Sequence, residues 1–248
     1  MNTSPADGDE HTRPAHHAPA PAPAHRPARA VATAHRQPPL IANDFYFLAH
    51  HDQTGQPRLF PAAISLGLAA GLLMELHYAG RISFSQGAVH VWRDGPTPAD
   101  WLQHKILDRM LTEPQQAPVR QWLSYLATTA EEQVAQRMTQ AGLLREQTTG
   151  PRWRRRTVYV PTDINTAAWP WARLSQQLRN RRDLFEHDVL LAGLVLRTQL
   201  DMALLDGASW LARDYLSRLV RQLWPPWPEL LGELGAAVGA AVLSHRTS

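Results

Sequence analysis

The stretch from Phe60 to Ile82 constrains the fold more than any other. From Ala62 to Met74 it is uncharged, and its apolar residues would fall on nearly every face of a helix. A helix of that kind must be covered on all sides rather than half exposed. Pro61 suits the first helical turn, where its missing N–H is not needed, and Gly80 suits a left-handed C-terminal cap. The uncharged run is about 13 residues, short of the roughly 20 needed to cross a bilayer. Gly67 and Gly71, four apart, admit the close approach of a neighbouring helix. Glu75 is the exception on this helix, and its expected role is to pair with an arginine rather than to catalyse.

The remainder of the chain supplies the cover. Residues 1–39 form a tail rich in Pro, Ala, His and Arg, including Ala18-Pro19-Ala20-Pro21-Ala22-Pro23-Ala24. It cannot bury enough apolar surface to offset its ordering entropy, so it is expected to be disordered or locally polyproline-like. It lacks the continuous apolar segment of a signal peptide. Order is expected from Leu40, with an apolar segment to Ala49, helix or strand, and then a polar turn from His50 to Gly55. Arg81-Ile82-Ser83-Phe84 and Val89-His90-Val91-Trp92 alternate around Gln86-Gly87, the pattern of a hairpin. Helices are expected over 100–111, from Pro118 to Leu126, and over 130–140 up to Gly142. A second hairpin turns at Thr148-Thr149-Gly150-Pro151. Four more helices are expected over 167–181, 184–206, 208–223 and 229–244, with Pro225-Pro226 separating the last pair. The fold class is therefore mainly α: a compact helical single domain over residues 40–248 with two accessory β-hairpins.

Few chemistries are open to such a chain. It contains no cysteine, which excludes disulfides, thiolate zinc sites and cysteine nucleophiles. There is no phosphate-cradling glycine loop, no His-Glu-x-x-His and no nucleophile elbow. The expectation is a non-enzymatic protein without a cofactor or a metal. The net charge is only +3, but it is segregated. Residues 145–156 hold five arginines against one glutamate, a net of +4, and residues 173–182 hold four arginines and no acid. Segregated charge says more about partners than the total does.

The second hairpin carries the chemistry. Arg152, Arg154, Arg155 and Arg156 offer planar donor forks that match phosphate oxygens. Trp153 among them is an amphipathic ring that prefers a membrane–water interface. At about 1 kcal/mol per basic residue, four arginines contribute roughly 4 kcal/mol at an anionic surface. That is only about millimolar binding, so a pocket, apolar insertion or several copies in a homo-oligomer must add to it. The expected partner is an anionic phospholipid membrane surface. Two alternatives stay open. A helix followed by Gly142-Leu143-Leu144-Arg145 and a basic hairpin is also the order of a winged-helix nucleic-acid reader. That reading ranks lower, because residues 130–137 open acidic and hold one arginine. The other alternative is an interaction scaffold that uses the hairpin for oligomer contacts.

The chain resembles the Golgi phosphoprotein 3-like family of lipid-binding proteins, in its actinobacterial type. The most specific likeness is Gly67-Leu68-Ala69-Ala70-Gly71-Leu72-Leu73-Met74-Glu75-Leu76 with Gly80-Arg81-Ile82. Val119-Arg120-Gln121-Trp122-Leu123, Gln140-Ala141-Gly142-Leu143-Leu144 and the Leu/Ala-rich run from Asp183 to Leu205 follow in the family's order. The resemblance implies a helical domain that binds phosphatidylinositol 4-phosphate at a membrane surface, cytoplasmic and peripherally attached. It further implies a headgroup pocket built from a Trp and basic residues. Those positions fall on Phe60, Ala69, Thr128 and Glu131, none of them basic here. The lipid-binding residues expected are therefore Arg58, Phe60 and Arg81 with Arg152, Trp153, Arg154, Arg155 and Arg156.

Overall fold

The computed structural model describes residues 40–112, 116–150 and 155–246. The elements are α1 (Ile41–Ala49), α2 (Pro61–Tyr78), β1 (Ile82–Ser85), β2 (Ala88–Val91), α3 (Trp101–Thr112), β3 (Gln116–Pro118), α4 (Val119–Ala127), α5 (Ala130–Gln140), β4 (Leu144–Thr149) and β5 (Arg156–Pro161). They continue with α6 (Ile164–Arg179), α7 (Glu186–Arg197), α8 (Asp201–Leu204), α9 (Trp210–Arg221) and α10 (Trp227–Arg246). The mainly α expectation holds for these residues. The tail over residues 1–39, together with Arg152, Trp153 and Arg154, lies outside the described residues.

Helix α2 is the hub. It packs against α1, α3, α4, α5, α7, α10 and β1, and from Ala63 to Leu76 every residue except Ser65 is buried. Pro61 opens it. Gly80, at φ 67°, closes it: Gly80 N–H donates to the His77 carbonyl and Arg81 N–H to that of Leu76, the paired bonds of a Schellman cap. Gly67 is where α1 comes closest. A Cβ there would lie 2.3 Å from Phe45 Cε1, so only glycine lets the Phe45 ring rest on the backbone.

The segment from Ile41 to Ala49 is a helix rather than a strand, and the cause lies partly in α2. Its N-cap residue, Leu40, has no side chain that can accept a hydrogen bond. Glu75 takes that role from across the interface: its Oε1 accepts from Ala42 N–H at 2.9 Å. The same carboxylate, fully buried, accepts from Arg137 of α5 at 2.7 and 3.1 Å and from Gln103 of α3 at 3.1 Å. Arg137 also donates to Asn43 Oδ1 and Asp100 Oδ1. Burial opposes its charge, but the Glu75 and Asp100 carboxylates outweigh that, and the guanidinium is held above its ordinary range. One ion pair thus ties α1, α2, α3 and α5 together, and Glu75 has the structural role expected of it.

Two expectations about element boundaries need correction. The helix expected over 184–206 is two helices, α7 and α8. Gln199 adopts φ 65°, and Leu200 N–H returns to the Val195 carbonyl, a Schellman closure without glycine. Thr198, beside it, is fully buried. Its methyl sits at the same notch of α2, 3.1 Å from where a Gly67 Cβ would be. The end of α7 thus lies against α2, and the local sequence gives no sign of it. Helix α6 begins at Ile164, earlier than expected, because Asp163 accepts from the N–H groups of Asn165 and Thr166.

The first hairpin is larger than expected. Gln86 and Gly87 have φ 54° and 78°, the two positive values of a tight hairpin turn whose twist matches the flanking strands. On its far side β2 also pairs with β3, with Val89 opposite Ala117, which makes a three-stranded antiparallel sheet. Glu229 of α10 accepts from Gly87 N–H and fixes the turn to the helical body. The second hairpin is β4 with β5, registered from Leu144↔Pro161 to Thr149↔Arg156.

Candidate functional site

The β4–β5 hairpin is rooted in the body, and its β5 strand lies against the 50–57 loop at Val158 and Tyr159. Leu144 is buried, as is Val160, while Arg145 through Gly150 are all exposed. Five steps along β4 carry the ladder about 17 Å from its root at roughly 3.4 Å per residue. The connection that follows Thr149 contains the arginine-rich sequence. Of that sequence Arg155 is described and exposed, and Arg156 forms the last rung.

Beside the root lies a cleft of about 380 Å³ between the end of α1, the 50–57 loop, the α4–α5 junction and β5. Gly55 holds the loop against the hairpin so closely that a Cβ there would overlap the Tyr159 carbonyl. His50 forms the floor. Its ring stacks on Tyr46 at 4.0 Å between centroids, with Nδ1 2.9 Å from the Tyr46 carbonyl and Nε2 3.2 Å from Glu131 Oε1. Both nitrogens face acceptors.

This cleft holds two of the four positions at which the family resemblance places a headgroup pocket, Thr128 and Glu131. Its lining includes Glu132 as well, and neither arginine nor lysine. The field is visible in the tyrosines. Burial first, and then the Glu131 carboxylate, hold the Tyr46 phenol above its ordinary range. Tyr159 is raised by burial, then by Glu146 and Glu132. Such a wall does not favour a phosphate. Of the other two positions, Phe60 is half-buried and packs on the core, and Ala69 is fully buried, out of reach of any ligand.

Two of the expected anion-binding arginines are engaged elsewhere. Arg81 is 4% exposed, and its guanidinium donates to the carbonyls of Pro96, Trp92 and Arg93 at 2.8, 2.9 and 3.3 Å. It braces the segment after β2. Arg58 stacks over the Trp171 ring at 4.4 Å, donates through Nε to the His50 carbonyl at 3.1 Å, and approaches Asp52 at 3.8 Å. Its guanidinium holds the 50–57 loop to α6. The structure brings Arg58 and the hairpin root to the same loop, while Arg81 belongs to the β2 side.

The second basic cluster also resolves into structure. Arg173 bridges Asp44 and Asp188 at 3.0 and 2.8 Å, and Arg179 donates to the Asp206 carbonyl at 2.6 Å. Arg181 and Arg182 are exposed. The single arginine of α5 is Arg137, buried in the Glu75 network, so the exposed face of that helix presents Glu132, Gln136 and Gln140. A groove-reading helix needs cations there, and the winged-helix reading loses its reader. Sequence reasoning missed Tyr46, His50 and Tyr159 as cleft residues, since Tyr46 and His50 sit one turn apart at the end of α1 while Tyr159 is brought to them from β5.

Among the described residues no helix is long and apolar enough to cross a membrane. A family model described as Golgi phosphoprotein 3 (GPP34) matches residues 41–242. A search of curated proteins finds no match to the chain.

Proposed function

The chain belongs to the Golgi phosphoprotein 3 family, and from that premise we propose that it is a peripheral membrane protein that acts by binding anionic phospholipid. The contact is the end of the β4–β5 hairpin, with Arg152, Arg154, Arg155 and Arg156 on headgroup phosphates and Trp153 at the interface. The supporting observation is the ladder itself, anchored by Leu144 and exposed from Arg145 to Gly150, whose two strands the net-basic sequence joins. Recognition is by charge density rather than by a phosphoinositide pocket. The cleft at the family's pocket positions is lined by Glu131 and Glu132, and Arg58 and Arg81 are held by internal partners.

Vesicle sedimentation tests this. In a constant phosphatidylcholine background, adding phosphatidylglycerol should increase recovery, and salt should reverse the increase, because exposed charge attraction is screened. Phosphatidylinositol 4-phosphate at matched charge should perform alike. Equal recovery with and without anionic lipid removes the proposal. A clear preference for phosphatidylinositol 4-phosphate at matched charge restores a headgroup pocket. Tighter binding to duplex DNA at the same salt revives the nucleic-acid reading.

A further inference from the structure

A second cleft, of about 420 Å³, opens where the end of α2 meets the start of α7 and the α9–α10 connection. That volume is within the range of small-molecule sites, about 300–1,000 Å³. Its walls combine Trp224, Trp227, Tyr78 and His77 with one carboxylate, Glu186. Trp227 is 3% exposed. Tyr78 packs against it at 5.5 Å between centroids, and His77 meets it edge-on at 4.7 Å. Glu186 Oε1 accepts from Trp227 Nε1 at 3.3 Å, which fixes the carboxylate beside the indole. Trp224, in contrast, is 72% exposed at the mouth.

The charges on this wall are one-sided. Burial lowers His77, which is therefore neutral near pH 7. Burial and the Glu186 charge raise the Tyr78 phenol, which keeps its proton. Glu186 is then the one formal charge among the lining residues. Aromatic faces present negative charge to a ligand and attract cations. An anion would meet both the π faces and the carboxylate. A primary ammonium would surrender strong hydration for a single acceptor, whereas a methylated ammonium has no hydrogen bonds to lose.

We propose that this cleft binds a quaternary ammonium group, held between Trp224 and Tyr78 and balanced by Glu186. The shared chemistry is that of choline, whether carried by a lipid headgroup or free in solution. The site shares no residue with the hairpin and does not depend on it.

The test is calorimetric titration of the full chain with choline and with its neutral isostere, 3,3-dimethylbutan-1-ol. Choline should bind saturably and roughly fivefold or more tightly than the isostere, the size expected for cation–π attraction at a partly exposed site. Trp224→Ala should weaken choline about as much while leaving the circular dichroism spectrum unchanged. Trp224→Phe, which keeps a ring face, should retain part of the affinity. Glu186→Gln should narrow the preference for choline over the isostere. No saturable binding of choline, equal binding of the two ligands, or full affinity in Trp224→Ala overturns the proposal. Retention on phosphatidylcholine vesicles that Trp224→Ala abolishes identifies the lipid source, and choline binding without such retention identifies a soluble one. Arg154→Ala/Arg155→Ala/Arg156→Ala should leave choline binding unchanged, so either proposal can fail while the other stands.

Discussion

Replacing Arg137 with Met tests whether the Glu75 network organises the fold. Methionine roughly preserves the apolar length of the side chain and removes its five hydrogen bonds, two to Glu75, two to Asn43 and one to Asp100. Glu75 stays fully buried and keeps only the Ala42 N–H and Gln103 as donors. An unpaired buried charge of this kind costs about 3–5 kcal/mol. At roughly 2–4 °C per kcal/mol for a domain of this size, the midpoint should fall by on the order of 10 °C. Glu75→Gln should cost less, since the amide oxygen still caps α1 and Arg137 retains Asp100 and Asn43. The double variant Glu75→Met/Arg137→Met should recover most of the loss of the single Arg137→Met. It should not recover all of it, because Ala42 N–H is left without its cap, about 1 kcal/mol. Urea unfolding of wild type, Glu75→Met, Arg137→Met and the double variant gives the coupling directly. An Arg137→Met chain within about 1 kcal/mol of wild type would refute the claim that burial makes this pair indispensable.

Gly67→Ala should destabilise by about 1–3 kcal/mol through overpacking, since its Cβ would lie 2.3 Å from Phe45 Cε1; an unchanged urea midpoint would mean that α1 can retreat freely. Asp163→Ala should lower the thermal midpoint by removing the α6 cap. Hydrogen bonds from Thr166 and then Asn165 hold this carboxylate below its ordinary 3.8, so the stabilisation is complete above that pH and disappears as pH falls through the folded value. A gap between wild type and variant that persists in strong acid would contradict the cap. Arg154→Ala/Arg155→Ala/Arg156→Ala should weaken binding to anionic vesicles by roughly 3 kcal/mol at low salt, with the fold intact by circular dichroism. Trp153→Ala should instead cause a loss that persists at high salt, because an apolar contact is not screened; a loss that vanishes with salt would remove the interfacial role.

The sequence by itself determined the hub and the class. An uncharged run that is apolar on every face can only be buried, whatever covers it, and Pro61 and Gly80 mark its limits through backbone conformations that depend on no partner. The Gln86-Gly87 turn and the stop at Gly142 are legible for the same reason. Local residues also announce the Arg152–Arg156 charge, because a run of arginines is a fact of composition. What only the tertiary structure decided is which polar groups meet. Glu75 caps α1 from 33 residues away along the chain, and no spacing rule encodes that contact. At the end of α7, Thr198 sits in a notch of α2 that the local sequence does not announce. Arginines look alike in sequence, yet packing sends Arg81 to backbone carbonyls, Arg137 to a buried carboxylate and Arg58 to an indole face. Charge is carried by the chain, but its availability to a ligand depends on which neighbours the fold brings within hydrogen-bonding distance.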